Sequence, residues 1–314
     1  MIDSTPIFDV VTACRLKDLG TLQLALPRLQ KLLPHKRLIV FTAKKNIKHF
    51  NRELGNMVEC IDEDSVFPDM KLIDLRNGSR LPGFPQGAGW YFQQFLKFGY
   101  PQICPMVERY LIWDADTVPL RSFDVFGSHG EVLLAPATMK ASQPPQGVNI
   151  DSSTAKRMQD ATRTHHSYFE NFNHLLGETI KPTQSFISQH MPIHVPTLRA
   201  LIEKIEARFI GRESWPWKVI KNLRGSNGNL FSEYEFYAHF ALLHYPSFHR
   251  IRSLSWSRAG RLSWWRSSEA QLQEWANHLD YVALERWASP LRRSFVRGFS
   301  LLPLWIQNKI KRQF

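Results

Sequence analysis

Apolar and polar positions alternate along this chain in blocks that change period. Phe8-Asp9-Val10-Val11-Thr12-Ala13 is short and β-branched, which predicts a strand. From Leu19 to Leu33 leucines recur at helical spacing, with a break or kink expected at Pro27 and a stop at Pro34. Arg37-Leu38-Ile39-Val40-Phe41-Thr42 reads as a second strand, followed by a polar stretch containing Lys44, Lys45, Asn46 and His49. Strands alternating with helical patterns predict an α/β fold with a mostly parallel sheet. Short strands are expected at 58–61 and 71–75, then a Gly- and Pro-rich surface loop over 76–89. Gly89 to Tyr100 reads as a short amphipathic helix closed by a glycine.

Further on, 130–137 reads as a strand and 185–193 as a strand returning toward the carboxylates discussed next. Val195 to Phe209 is expected to be a helix with Pro196 in its first turn and Leu198, Leu201, Ile202, Ile205 and Phe209 on one face. The polar segment 140–164 is long for a loop without structure of its own, and is expected to be a flap over a binding site.

The chemistry concentrates in Tyr110-Leu111-Ile112-Trp113-Asp114-Ala115-Asp116-Thr117-Val118-Pro119-Leu120. This apolar run ends in two carboxylates one residue apart, at the C-terminal end of a buried strand, where open α/β sheets form their ligand crevice. Paired carboxylates suit a hard divalent cation. Mg²⁺ and Mn²⁺ prefer oxygen ligands, and Mg²⁺ commonly shares one or two protein carboxylates with substrate phosphates. A nucleotide substrate is therefore implied.

Composition narrows the reading. The 314 residues are 43% hydrophobic, enough for one large α/β domain with a C-terminal extension or for two small ones. No stretch approaches the length of a membrane span, and Met1-Ile2-Asp3-Ser4-Thr5-Pro6 has neither a basic nor an apolar leader region, so a cytoplasmic protein is expected. Cys14, Cys60 and Cys104 are widely spaced and odd in number, which indicates neither a disulfide framework nor a zinc site. The net charge of +12 resides mainly in the last part of the chain, where residues 250–314 carry twelve Lys and Arg against four acids. From Ser289 onward there is no acid, and Arg292, Arg293, Arg297, Lys309, Lys311 and Arg312 are interleaved with Phe, Leu, Trp and Ile. Such a segment suits an anionic membrane surface, or equally a basic helix packed on the domain.

A helix, a connector, a strand and then D-A-D-T-V-P-L resembles the D-x-D glycosyltransferases of the GT-A fold, including the glycogenin and lipopolysaccharide-galactosyltransferase type and bacterial relatives of unknown function. The specific part of the resemblance is Trp90 to Leu120, within element order covering roughly residues 6 to 250. It implies a Rossmann-like, mixed but mostly parallel sheet flanked by helices over 1–250, followed by a basic, aromatic-rich and mainly helical extension over 251–314. It also implies transfer of a hexose from a nucleotide-diphosphate sugar, typically a UDP-sugar, to a saccharide or lipid-linked saccharide acceptor in surface-glycan synthesis. Mn²⁺ or Mg²⁺ would be held directly by Asp116, with Asp114 contacting the metal, its waters or the ribose. His249, or else His244, would be a third ligand, although the glycogenin-type motif around that histidine is absent.

Donor contacts implied by position are Thr12, Ala13 and Arg15 after the first strand, Gln94 (with Gln93) and Lys97 on the preceding helix, and His190. For an inverting reaction the base would be Glu233, with Glu235 second. Ser232 and Glu235 independently match the capping box of a helix N-terminus, and Glu233 falls in the first helical turn, where the helix dipole favours a carboxylate. Two other functions compete with this one. A sugar nucleotidyltransferase shares the acidic site, but Ala13-Cys14-Arg15-Leu16-Lys17 lacks its glycine-rich phosphate loop. Nucleic-acid binding through the basic tail has only charge in its favour and no motif.

Overall fold

A computed structural model describes residues 8–78, 84–137, 166–180, 184–225, 229–258 and 269–284. The segment 140–164 and the tail from Ser289 lie outside the described residues. The core is a five-stranded sheet built from β1 (Asp9–Ala13), β2 (Arg37–Thr42), β3 (Glu59–Asp62), β4 (Arg109–Trp113) and β7 (His190–His194), in the order β3-β2-β1-β4-β7. The first four strands run parallel and β7 is antiparallel to β4. β1 and β4 are buried along nearly their whole length, which is why they read as continuous apolar runs rather than alternating ones.

Helices α1 (Leu19–Leu32) and α2 (Lys44–Leu54) connect β1 to β2 and β2 to β3; α3 (Leu72–Gly78) and α4 (Phe84–Ile103) lead back to β4. After β1 the chain therefore builds outward through β2 and β3, then returns to the other side of β1. That reversal puts a crevice beside the C-terminal ends of β1 and β4.

Several sequence expectations change here. α1 runs through Pro27 without ending there. Residues 71–75 form the start of helix α3 rather than a strand, and 84–89 are the first turns of α4 rather than loop. α4 also passes through Gly99 instead of stopping at it. A Cβ at Gly99 would fall 2.7 Å from both Phe67 Cζ and Val66 Cγ1, so the glycine serves a close approach. The strand expected at 130–137 shortens to β6 (Val132–Leu134), and that expected at 185–193 to β7, with Ser185 bridging Ala137.

The second half adds a helix over 166–176 (α5), then α6 (Val195–Arg208), α7 (Trp215–Asn222) and α8 (Glu233–His244). Two small sheets complete it. β8 (His249–Ile251) pairs with β6. β10 (Tyr281–Ala283) pairs with both β5 (Thr117–Pro119) and β9 (Trp256–Arg258), while α9 (Glu269–Ala276) lies between β9 and β10 in sequence. The sequence boundary at 250/251 thus falls within β8, and the described residues after it contribute strands as well as a helix. Among the described residues no helix is long and apolar enough to cross a membrane.

At the N-terminal pole, Asp9 is held by Arg37 Nη2 at 2.7 Å and by the Tyr100 hydroxyl at 2.7 Å. Burial pushes the Asp9 carboxyl up, but these donors outweigh it and hold it below its ordinary 3.8. A carboxyl whose pKa is lower folded than unfolded stabilises the fold above its unfolded value, and that stabilisation is lost as pH falls through the folded value. Unfolding followed by fluorescence below pH 4 should therefore show a shallower acid limb for Asp9→Asn than for the parent. An unaltered limb would assign acid unfolding to other groups.

Candidate functional site

β4 ends at Trp113, and Asp114 to Thr117 form a tight turn in which the Thr117 N–H donates to Asp114 O at 3.0 Å. The indole of Trp113 closes it by donating to Thr117 O at 2.8 Å. Two neighbours brace the turn from outside: Asp114 N–H donates to Gln189 O at 2.9 Å, and Leu284 N–H to Asp116 O at 2.7 Å. Beneath it lies an aromatic block of Trp113, Phe123, His190 and Tyr281. The turn is thus set on a rigid floor, which is what a binding constellation needs.

Opposite the turn stand α4 and the N-terminus of α8. Lys97 of α4 is 2% exposed and ion-pairs with Asp114 Oδ1 and, at 2.8 Å, with Glu233 Oε1. Its ammonium also lies 3.5 Å from the Tyr234 hydroxyl. Burial pulls the Lys97 pKa down, but Asp114 and Glu233 outweigh it and keep the amine protonated. For Glu233 burial dominates in the other direction and raises the carboxyl above its usual range against the pull of Lys97. Burial raises the Tyr234 hydroxyl at the start of α8, and the charges of Asp114 and Asp116 add to that rise.

The other expected site residues divide by place. Gln94 is buried and accepts the Glu233 N–H at 2.9 Å through Oε1, while its Nε2 donates to Trp90 O at 3.1 Å. Gln93 is partly exposed. Arg15 follows β1 on the crevice edge and lies across α4, where a Cβ at Gly89 would fall 1.5 Å from its Nη2. Its charge also reaches Glu63, just after β3. Thr12 is buried with its hydroxyl unpartnered, and Ala13 ends β1. His190 borders the site but is buried, its Nδ1 3.1 Å from Ser188 O, and burial lowers its pKa to about 4.

Glu235 points away from Asp114. It accepts from the Ser185 hydroxyl and from Phe186 N–H at 3.1 Å. Half of the capping box forms, since Ser232 Oγ accepts the Glu235 N–H at 3.4 Å while the glutamate side chain is engaged with 185–186.

His249 is not brought to the acid pair. It bonds Tyr245 O at 3.0 Å and Tyr237 at 3.1 Å, and packs near His194. His194 pairs with Arg109, at the far end of β4 from Trp113, about 13 Å of strand away. His244 bonds Glu178. Among the described residues no group of three or more His, Cys, Asp and Glu side chains is arranged to hold a metal. The donor set facing the crevice is two carboxylates, Asp114 being 21% exposed at its side chain. That suits a hard cation completing its shell with phosphate and water oxygens.

Two neighbours of the acids carried no sequence signal of their own. Gln189 is the one non-glycine among the described residues with positive φ, at 68°, and it holds the Asp114 N–H through its carbonyl. Tyr234, between Glu233 and Glu235, was hidden by the capping pattern around it.

The profile of a family of unknown function (DUF6492) matches residues 24–281. The chain belongs to that family. The DUF6492 match begins within α1, covers β2, β3, β4, β7, the acid turn and both helices facing it, and reaches β10. No curated protein matches the chain. Solved structures similar to this DUF6492 protein include the apo form of mouse xyloside xylosyltransferase 1, at 14% identity over 88% of this chain and 97% of that one, with a TM-score of 0.47. The galactosyltransferase LgtC in complex with donor and acceptor sugar analogues aligns at 11% identity over 88% of this chain and 87% of that one, with a TM-score of 0.37. The bifunctional glycosyltransferase WbbM aligns at 10% identity over 90% of this chain and 46% of that one, with a TM-score of 0.40.

Proposed function

We propose that this DUF6492 protein is a metal-dependent glycosyltransferase that moves a hexose from a nucleotide-diphosphate sugar, a UDP-sugar in the simplest case, to a saccharide acceptor. The observation that carries the reading is the placement of Asp114 and Asp116 directly after β4, at the point where the strand order reverses, facing a helix N-terminus. Open α/β sheets bind nucleotides at such a point.

Asp114 and Asp116 would hold Mn²⁺ or Mg²⁺ by one carboxylate each. When bound, the cation neutralises charge developing on the departing diphosphate. The protein's own groups do the rest. Arg15 follows β1 at the edge of the crevice beside β1 and β4, where it can meet the nucleotide. The amide end of α8 adds positive potential beside the acids. Gln189 O and Leu284 N–H hold the turn so that the carboxylates need not reorganise on binding.

An acceptor in surface-glycan synthesis, lipid-linked or free, and contact of the segment from Ser289 with the inner membrane leaflet rest on sequence alone and are part of the same proposal. The test is thermal unfolding with a panel of nucleotide sugars. A ligand that binds only the folded form at 100 times its Kd stabilises by about 2.7 kcal/mol, which should raise Tm by roughly 5 °C or more. One nucleotide sugar should do so with Mn²⁺ and not with chelator. A flat panel with and without Mn²⁺ would end the transferase reading.

A further inference from the structure

The resemblance to D-x-D enzymes assigns Glu233 the work of a base, which requires a carboxylate oxygen open to an incoming hydroxyl. The geometry points elsewhere. Its side chain is 5% exposed, and Oε1 is 2.8 Å from the Lys97 ammonium. That ammonium has three N–H donors, and three acceptors surround it: Asp114 Oδ1, Glu233 Oε1 and the Tyr234 hydroxyl. Lys97 is therefore committed to protein groups, with the Tyr234 ring face 5.0 Å away as further support.

We infer that Glu233 is a positioning residue: it fixes the Lys97 ammonium, which in turn fixes the Asp114 carboxylate in the orientation that receives a divalent cation with a nucleoside diphosphate. The backbone serves the same purpose. The Glu233 N–H is held by Gln94, one helical turn from Lys97 on α4, so α4 and α8 are stitched at two successive points. The pair itself is independent of the transferase reading, but its consequence for ligand binding rests on that reading.

The probe is UDP titrated calorimetrically in the presence of Mn²⁺, with near-UV circular dichroism to verify folding. Glu233→Ala should weaken Mn²⁺-dependent UDP binding about tenfold, as loss of a group that orients a metal ligand does. Lys97→Met should weaken it comparably, and the double variant should be no worse than the poorer single, because both remove one linked device. Glu233→Gln, which retains an oxygen toward Lys97, should recover most of the affinity, and Lys97→Met serves as the measurement if the alanine variant does not fold. Affinity equal to the parent in Glu233→Ala, or in Lys97→Met where the alanine variant fails to fold, overturns the inference, as do additive losses in the double variant. If Asp116→Ala loses binding while the Glu233 variants keep it, only the positioning role falls. If Asp116→Ala also keeps it, the parent reading falls as well.

Discussion

Asp116→Ala is expected to lower Mn²⁺-dependent affinity for UDP by roughly 100-fold or more, since it removes one of only two protein ligands from the proposed cation. The fold should be spared. One bond that ties this position to the rest of the molecule runs from Leu284 N–H to the backbone carbonyl of Asp116, which the substitution leaves in place. Removing one of several clustered negative charges also relieves repulsion in the metal-free protein, so stability should change by less than about 1 kcal/mol. Calorimetry on the variant beside its denaturation curve separates the two effects. Undiminished UDP affinity in a folded variant would remove the cation from the mechanism.

Trp215→Ala should produce the largest loss of stability, about 4 kcal/mol, as expected for emptying a fully enclosed indole site. Trp215 opens α7 and is 2% exposed, packed against Phe67, Phe95 and Phe98 with ring centroids 5.9, 5.3 and 6.2 Å away. Two of those partners flank Lys97 on α4, so the indole supports the helix that presents the ammonium. Its Nε1 is buried without a hydrogen-bond acceptor. Trp215→Phe therefore sacrifices packing volume but no hydrogen bond, and should cost only about 1–2 kcal/mol. Urea denaturation midpoints of the two variants check the ordering. Equal losses would show that ring packing is not what holds this site together.

The strands and the acid turn were legible because burial on both faces leaves uninterrupted apolar runs, as in Arg37–Thr42 and Arg109–Trp113. Punctuation by glycine and proline misled where tertiary packing prevailed. Gly99 signalled a helix end, yet the helix continues and the missing Cβ makes room for Val66 and Phe67. Pro27 signalled a break inside a helix that does not break. Within the site, Asp114, Asp116, Lys97, Gln94 and Glu233 share one locus although Lys97 and Glu233 are 136 positions apart. No local pattern announces such pairing. The resemblance placed His249 with the acids as well, but β8 docks beside β6 and sets that ring at the opposite pole of β4. Gln189 was invisible because its contribution is a carbonyl, which every residue has.

The last strand alters how the molecule must come into being. β5 leaves the acid turn early in the chain, but its partner β10 is made only at Tyr281–Ala283. During translation the two carboxylates would therefore emerge long before the segment that steadies them. A polypeptide released prematurely anywhere between them would carry the aspartates without the brace. Competence would then be conferred late, and chains terminated before Tyr281 would be silent rather than partly active.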